Sequence, residues 1–519
     1  MSKENTQESR IKNSVKNMKF GMVYQVMYLL LNFVVRFSII KVLGVTALSL
    51  NGLFTEVLSI LSLAEMGVGT AITYCLYKPL AEGDEKRVTQ LMNLFKKAYH
   101  AISAFMLVVG LALIPLLPKI VTKVDVDNGY LTLIYVLFLL QTCASYVNSY
   151  KALLLTADQK AWVQAKINIV VRSAFFAGSL AIIYFTKNFV LYVTNEMLYS
   201  LIFYFVVGKQ ADKMYPYLKN KDKLSKEDTK EIMTSIRQAF IGKLSNRVLN
   251  STDNILISML VGTNLVGVYS QYSMFINGFL RVFSQVNESV VGSIGNVIAV
   301  ESREKSEQTL NRLNYLFFFM GSFCSICLFA GINPFLKGIV GKSYLLENGI
   351  LIIVVVNMFF ETFKMPLWTF FSAAGLFKYD QKISFVGCIL NIITSVILGK
   401  KYGMLGIFIG TFLSLLYMFI RKAMELEKNQ FGGSGKVQLF AFAKYFGIFM
   451  IELGIAYYLC YVSDILNFGN LFVEFVAKVI VGMVITGVLS GVIFAKTDEF
   501  GYFMEMVKKV KRKVRKEAR

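Results

Sequence analysis

"AEGDEKRVTQLMNL", residues 81–94, is written a second time as "VESREKSEQTLNRL" at residues 300–313. Aligned without a gap at an offset of 219, the two share Glu82/Glu301, Glu85/Glu304, Lys86/Lys305, Leu91/Leu310 and Leu94/Leu313. Each lies between long hydrophobic runs. "KVLGVTALSLNG" from Lys41 resembles "MLVGTNLVGVYS" from Met259 at an offset of 218, and "ADQKA" from Ala157 resembles "YDQKI" from Tyr379 at 222. One match between short loops carries little weight. Three in the same order at nearly constant spacing indicate a duplicated unit, the parallel-repeat case when each copy holds an even number of spans. The repeated polar phrase itself reads as a short amphipathic helix on the cytoplasmic surface, with Leu and Phe dipping into the interface.

Composition sets the class. Of 519 residues 55% are hydrophobic and 6 are proline, and the mean hydropathy is +0.55. Apolar stretches of about 20 residues recur, each long enough to cross a hydrocarbon core as a helix. Backbone polar groups in lipid must be satisfied internally, and segments of this length suit helices rather than barrel strands. About 14 spans are predicted by this length criterion, those near Leu63 and Phe279 unusually long. The expected fold is an all-α integral membrane protein: two six-helix bundles related as parallel repeats, plus two extra C-terminal helices. The expected boundaries are 1–212 and 238–430 for the bundles, with a cytoplasmic linker at 213–237. Helices 13 and 14 are placed in 431–496 and a basic tail in 497–519.

The net charge of +22 comes from 55 Lys and Arg against 33 Asp and Glu. With the N-terminus inside, Lys3 to Lys19, Lys209 to Arg237 and the tail "KKVKRKVRKEAR" all fall on the cytoplasmic side. Both termini are therefore expected in the cytoplasm, the charge setting topology and holding the tail against anionic lipid. A nucleic-acid partner is not expected. The first apolar run follows a polar segment and is too long for a cleavable signal peptide.

The usual catalytic signals are missing. "CSIC" at Cys324 lies mid-helix among apolar residues and reads as packing. "FGGSGKVQ" at Phe431 lacks the phosphate-loop spacing and the Ser or Thr after Lys436, so it reads as a connector. The sole histidine, His100, sits at a span edge. No catalytic, metal or nucleotide site is visible and no cofactor is expected. A membrane glycosyltransferase or polymerase needs sizeable outer loops with acidic residues, and the outer loops here are short.

What stands out is polarity inside the spans. Gln25, Asn32 and Arg36 mark helix 1; Gln164, Asn168 and Arg172 mark helix 5. Lys243, Arg247, Asn250 and Asn254 follow in helix 7; Asn277, Arg281, Gln285 and Glu288 in helix 8. Steps of three, four and seven put each set on one helix face. A charge at mid-bilayer costs from about 3 to over 10 kcal/mol, so such faces should line a wet cavity or meet a partner. Glu361 and Lys364, one turn apart, either neutralise each other or line that cavity; Glu474 and Lys478 read as mutual neutralisation. Arg36, Arg247 and Arg281 have no acid suitably placed nearby, though Arg281 could reach Glu288 across two turns. Arginine binds phosphate through paired hydrogen bonds and stays charged when partly desolvated. The bias toward Arg and Lys suits an anionic cargo. Glu56, Glu65, Asp253 and Glu288 are candidates for a coupling proton or sodium ion.

"LAEMGVGTAI" in helix 2, "NRVLNSTDNILISMLVGTNLVGVYSQYSM" across helices 7 and 8, and "SAAGLFKYDQKISF" after helix 10 resemble the bacterial oligosaccharide flippases, or polysaccharide transporters. These belong to the superfamily that also holds the multidrug and toxin extrusion proteins and the lipid II flippases. The resemblance implies translocation of undecaprenyl-diphosphate-linked oligosaccharide repeat units for capsule, exopolysaccharide or O-antigen assembly, by alternating access. It also implies membrane lipids, a polysaccharide polymerase and glycosyltransferases as partners. By position Arg36 and Arg281 match the cavity cations of such proteins best, then Arg247. Arg172, Lys243, Asn32 and Gln285 complete the expected substrate-binding set. A lipid II flippase and a cation-coupled multidrug exporter of the same fold are the competing readings.

Overall fold

The computed structural model describes residues 3–65, 68–220, 222–230, 232–233, 252–433, 436–505 and 508. In chain order the helices are α1 (Lys3–Ser38), α2 (Val45–Leu61), α3 (Val68–Glu82), α4 (Glu85–Ala112), α5 (Leu117–Ile120), α6 (Asn128–Ala157), α7 (Ala161–Ala181) and α8 (Phe189–Met214). There follow α9 (Thr252–Val261), α10 (Thr263–Val300), α11 (Arg303–Val340), α12 (Asn348–Phe363), α13 (Met365–Ala373), α14 (Phe377–Leu426), α15 (Lys436–Tyr457) and α16 (Leu471–Phe494). No strand occurs among the described residues. Two compact units form, Met1–Gly267 and Val268–Arg519. The segment 252–267, which the sequence boundaries assign to the second bundle, packs in the first.

Ten helical stretches among the described residues are long and apolar enough to cross a membrane, fewer than the 14 spans predicted. Four helices fall outside that criterion for physical reasons. Val45–Leu61, Val68–Glu82 and Thr252–Val261 are short, and α10 has 38 residues but is amphipathic. The long run near Leu63 is broken by a 3-10 turn at Ser62–Glu65. One stretch, Lys378–Phe431, contains a sharp break at Gly403, whose φ of 60° returns the chain on itself.

The duplication is visible in backbone detail. Ile39–Leu43 and Ile257–Val261 are π-helical turns, each closed by a glycine of positive φ, Gly44 and Gly262. The Gly44 N–H returns to the Ile39 carbonyl at 3.1 Å and that of Gly262 to Ile257 at 2.9 Å. Each glycine is followed at once by a helix, α2 or α10, at an offset of 218. The same offset relates the starts of α4 and α11. Asp84 caps the first by accepting from the Arg87 N–H, and Ser302 caps the second by accepting from Lys305. The "EK" phrases are thus the capped first turns of long helices rather than separate surface helices, a correction that the caps explain. The third match does not hold its register: Asp158–Lys160 forms the turn after α6, whereas Tyr379–Ile383 lies inside α14.

Within the first unit, α9 and the start of α10 are tied down by hydrogen bonds. Ser258 Oγ donates to the Ile120 carbonyl at 2.6 Å, and the Thr122 and Thr263 backbones exchange bonds with each other's polar groups. Within the second unit the core is aromatic. Phe359 stacks on Phe449 at 4.0 Å, while Phe360 meets Phe412, Phe419 and Phe442 edge-on. Such offset and edge contacts add to the area each ring buries.

Candidate functional site

Four helices of the first unit, α1, α2, α7 and α8, bring a cationic and phenolic cluster together. Arg36, in the last turn of α1, is half-buried, and Tyr28, Glu56 and Tyr192 lie within electrostatic reach of its guanidinium. Buried Tyr192 lies beside Asn51 of α2. Arg172 of α7 forms a 2.6 Å ion pair with Glu196 of α8, and both side chains are largely buried. Its guanidinium also sits 4.6 Å above the Tyr199 ring. Ser179 donates to the other Glu196 oxygen at 3.0 Å, Asn195 donates to Ser179 at 2.9 Å, and Tyr199 donates to Asn168 at 2.6 Å. Arg172 thus enters the site already neutralised. Asn32 turns back on its own helix, its amide donating to the Tyr28 carbonyl at 2.9 Å.

A second polar group surrounds Glu65. The fully buried Tyr99 of α4 donates to its carboxylate at 3.0 Å, and Tyr146 of α6 lies close by. Glu56 and Asp253 are half-buried and engaged with neighbours. Lys243 and Arg247 lie outside the described residues.

In the second unit, α10 is a long amphipathic helix. Tyr272, Ile276 and Phe283 are buried, and Asn287 exchanges hydrogen bonds with Thr369 of α13. On another side Asn277, Arg281, Gln285 and Glu288 are all exposed. Among the described residues Arg281 forms no hydrogen bond or ion pair, with Glu288 or any other group. A lone guanidinium on a helix of this length cannot rest against hydrocarbon; it requires water or an anion.

Three lysines of the second unit are paired with acids. Lys364 pairs with Glu361 at 2.6 Å, Lys478 with Glu474 at 2.6 Å, and Lys422 with Asp380. Sequence reading missed Glu196, Asp380 and the tyrosines. Their signal is weak, because an acid on the neighbouring helix pairs through tertiary packing rather than through spacing along one chain segment.

The lipid II flippase MurJ, in an inward closed conformation, superposes with a TM-score of 0.70 at 12% identity, covering 92% of this chain and 99% of that one. The fold is that of MurJ and the MATE transporters. An inward-facing multidrug resistance MATE family transporter of the MOP superfamily gives 0.63 at 17% identity, over 77% of this chain and 94% of that one. A mutant of the Vibrio cholerae MATE transporter VcmN gives 0.55 at 13% identity, over 82% and 99%. No protein-family model and no curated protein matches the sequence.

Proposed function

We propose that the chain is a flippase moving a polyprenyl-diphosphate-linked oligosaccharide repeat unit across the cytoplasmic membrane by alternating access, in support of polysaccharide assembly. The observation that carries this reading is Arg281, a cation without a protein partner among the described residues, set among exposed Asn277 and Gln285 on a helix long enough to span the bilayer. The diphosphate supplies the charge Arg281 lacks, and the amides suit sugar hydroxyls. Arg36 is assigned to the same cargo, in a cluster whose tyrosines offer donors and stacking faces. Arg172, bound to Glu196, is a positioning residue for that cluster. Glu56 and Glu65 are the acids we assign to coupling.

Lipid II translocation is a second reading, favoured by the 99% coverage of MurJ. The chemistry at the phosphate is common to both cargoes. Purified protein in vesicles, offered a polyprenyl-diphosphate repeat unit, lipid II or a cationic dye in parallel, separates them. Flipping of the repeat unit supports the proposal. Transport confined to lipid II or to the dye replaces it.

A further inference from the structure

A cavity of about 270 Å³ opens in the second unit where α11 ends, far along the helix from its capped start. Its polar lining comes from Asn333 and Lys337 of α11, Ser463 and Asn467 of the loop before α16, and Glu474 and Lys478 of α16. None of these residues belongs to the site assigned above.

The polar groups are held in fixed directions. Tyr272 Oη accepts the Leu346 backbone N–H at 3.0 Å and donates to Asn333 Oδ1 at 2.7 Å. With its carbonyl oxygen committed, the Asn333 side chain, only 8% exposed, keeps an Nδ2 donor that no protein group uses among the described residues. Lys478 Nζ contacts Glu474 Oε1 at 2.6 Å and lies 5.2 Å from the Tyr461 ring centre, whose hydroxyl donates to the Phe329 carbonyl. An ammonium has three donors, so this pairing leaves others free, and Glu474 keeps a second oxygen. The Lys337 side chain, in the last turn of α11, makes no hydrogen bond or ion pair among the described residues. The lining therefore carries one unbalanced positive charge beside a carboxylate that can accept hydroxyls.

Val462, Ile465, Phe468 and Phe472, each within two residues of the lining along the chain, stand exposed, Ile465 at 71% and Phe472 at 73%. A polar pocket with a free cation, under a collar of exposed aromatic and aliphatic side chains, has the layout of a lipid–water boundary.

We propose that this cavity binds the headgroup of an anionic phospholipid that joins a phosphodiester to a small polyol, as in phosphatidylglycerol. The phosphate meets Lys337 and Asn333 Nδ2, the polyol hydroxyls donate to Glu474, and the acyl chains lie over the collar. Soluble phosphate esters share the headgroup chemistry but make no use of the collar. The proposal is independent of which cargo the protein moves.

The test uses the full chain in detergent, titrated with phosphatidylglycerol, phosphatidylcholine or sn-glycerol 3-phosphate, and read by native mass spectrometry and thermal unfolding. Phosphatidylglycerol is expected to bind and raise the melting temperature, phosphatidylcholine to do neither. Lys337→Gln is expected to weaken phosphatidylglycerol binding roughly tenfold while melting normally without lipid, and Lys337→Arg to restore it. Lys337→Met keeps the apolar stem and replaces the glutamine variant if that one is unstable. Equal binding of phosphatidylcholine, or undiminished binding by the uncharged Lys337 variants, overturns the site. Glycerol phosphate binding as tightly as the lipid overturns the lipid assignment and gives the cavity to a soluble ester.

Discussion

Thr46 donates a 3.0 Å hydrogen bond to the side-chain carbonyl of Asn264, and the two residues are the same position of the two copies, 218 apart. The next turn repeats the relationship: the Gly267 N–H donates at 2.9 Å to Ser49, again its own counterpart. Contacts between equivalent residues arise only on the local axis relating the two segments, so this axis passes between the starts of α2 and α10. The helices approach closely because position 267 is glycine.

A side chain at Gly267 is therefore expected to destabilise the first unit. A Cβ there would lie 2.3 Å from Ser49 Oγ and 2.8 Å from the Val45 carbonyl oxygen, which is backbone and cannot rotate away. Gly267→Ala should cost about 1–3 kcal/mol, with Gly267→Val worse. Thermal unfolding in detergent checks this. An unchanged melting temperature for both variants would mean the helices separate freely.

Arg172 and Glu196 should behave as a buried ion pair. Glu196→Gln leaves a guanidinium without its counter-ion and is expected to cost roughly 3–5 kcal/mol, while Arg172→Met with Glu196→Met recovers much of the loss. A double-mutant cycle on unfolding measures the coupling. A double variant that is stable yet slow in transport locates the role of the pair in the cluster's geometry. Additive single effects would show that the two side chains act separately.

How far the sequence carried these conclusions depended on the interaction. The match of residues 41–52 to 259–270 was legible because a shared backbone constraint writes itself into local residues; the π turns closed by Gly44 and Gly262 inside it came from the structure. The face of α10 was legible because Asn277, Arg281, Gln285 and Glu288 follow helical spacing. Glu196 was not legible as Arg172's partner, since interhelical pairing depends on packing rather than spacing. The "EK" phrases misled for another reason: charge at a helix start looks like a surface helix until the caps at Asp84 and Ser302 show the helix running on.

The linker after α8 should undock in acid. Arg87 of α4 hydrogen-bonds Asp228 at 2.6 Å, and that bond, supported by Ser225, holds the Asp228 carboxyl below the usual carboxylate range. A depressed carboxyl contributes to docking above its free pKa and loses that contribution as pH falls through its docked value. Relative to the intrinsic exchange rate, protection across residues 216–220 and 222–230 should therefore fall on acidification below about pH 4. Asp228→Asn should be less protected at neutral pH and lose most of the pH dependence. Protection in the native chain that ignores acid would contradict the pairing.

Membrane potential should matter to the rate. An inside-negative potential favours outward movement of an anion by about 2.3 kcal/mol per charge per 100 mV if the protein's own charges stay still. Flipping of a diphosphate-linked cargo in vesicles is expected to quicken when the cargo side is made negative. Indifference to an imposed potential would remove voltage as a driving term.

The most direct measurement compares the native chain with Arg281→Gln and Arg281→Lys in vesicles loaded with a polyprenyl-diphosphate oligosaccharide, scoring flipped headgroups. The account predicts rapid flipping by the native chain and at least about tenfold loss in Arg281→Gln, with unchanged unfolding and partial rescue by lysine. Flipping at the native rate by a folded Arg281→Gln protein, or none by the native chain, would contradict it.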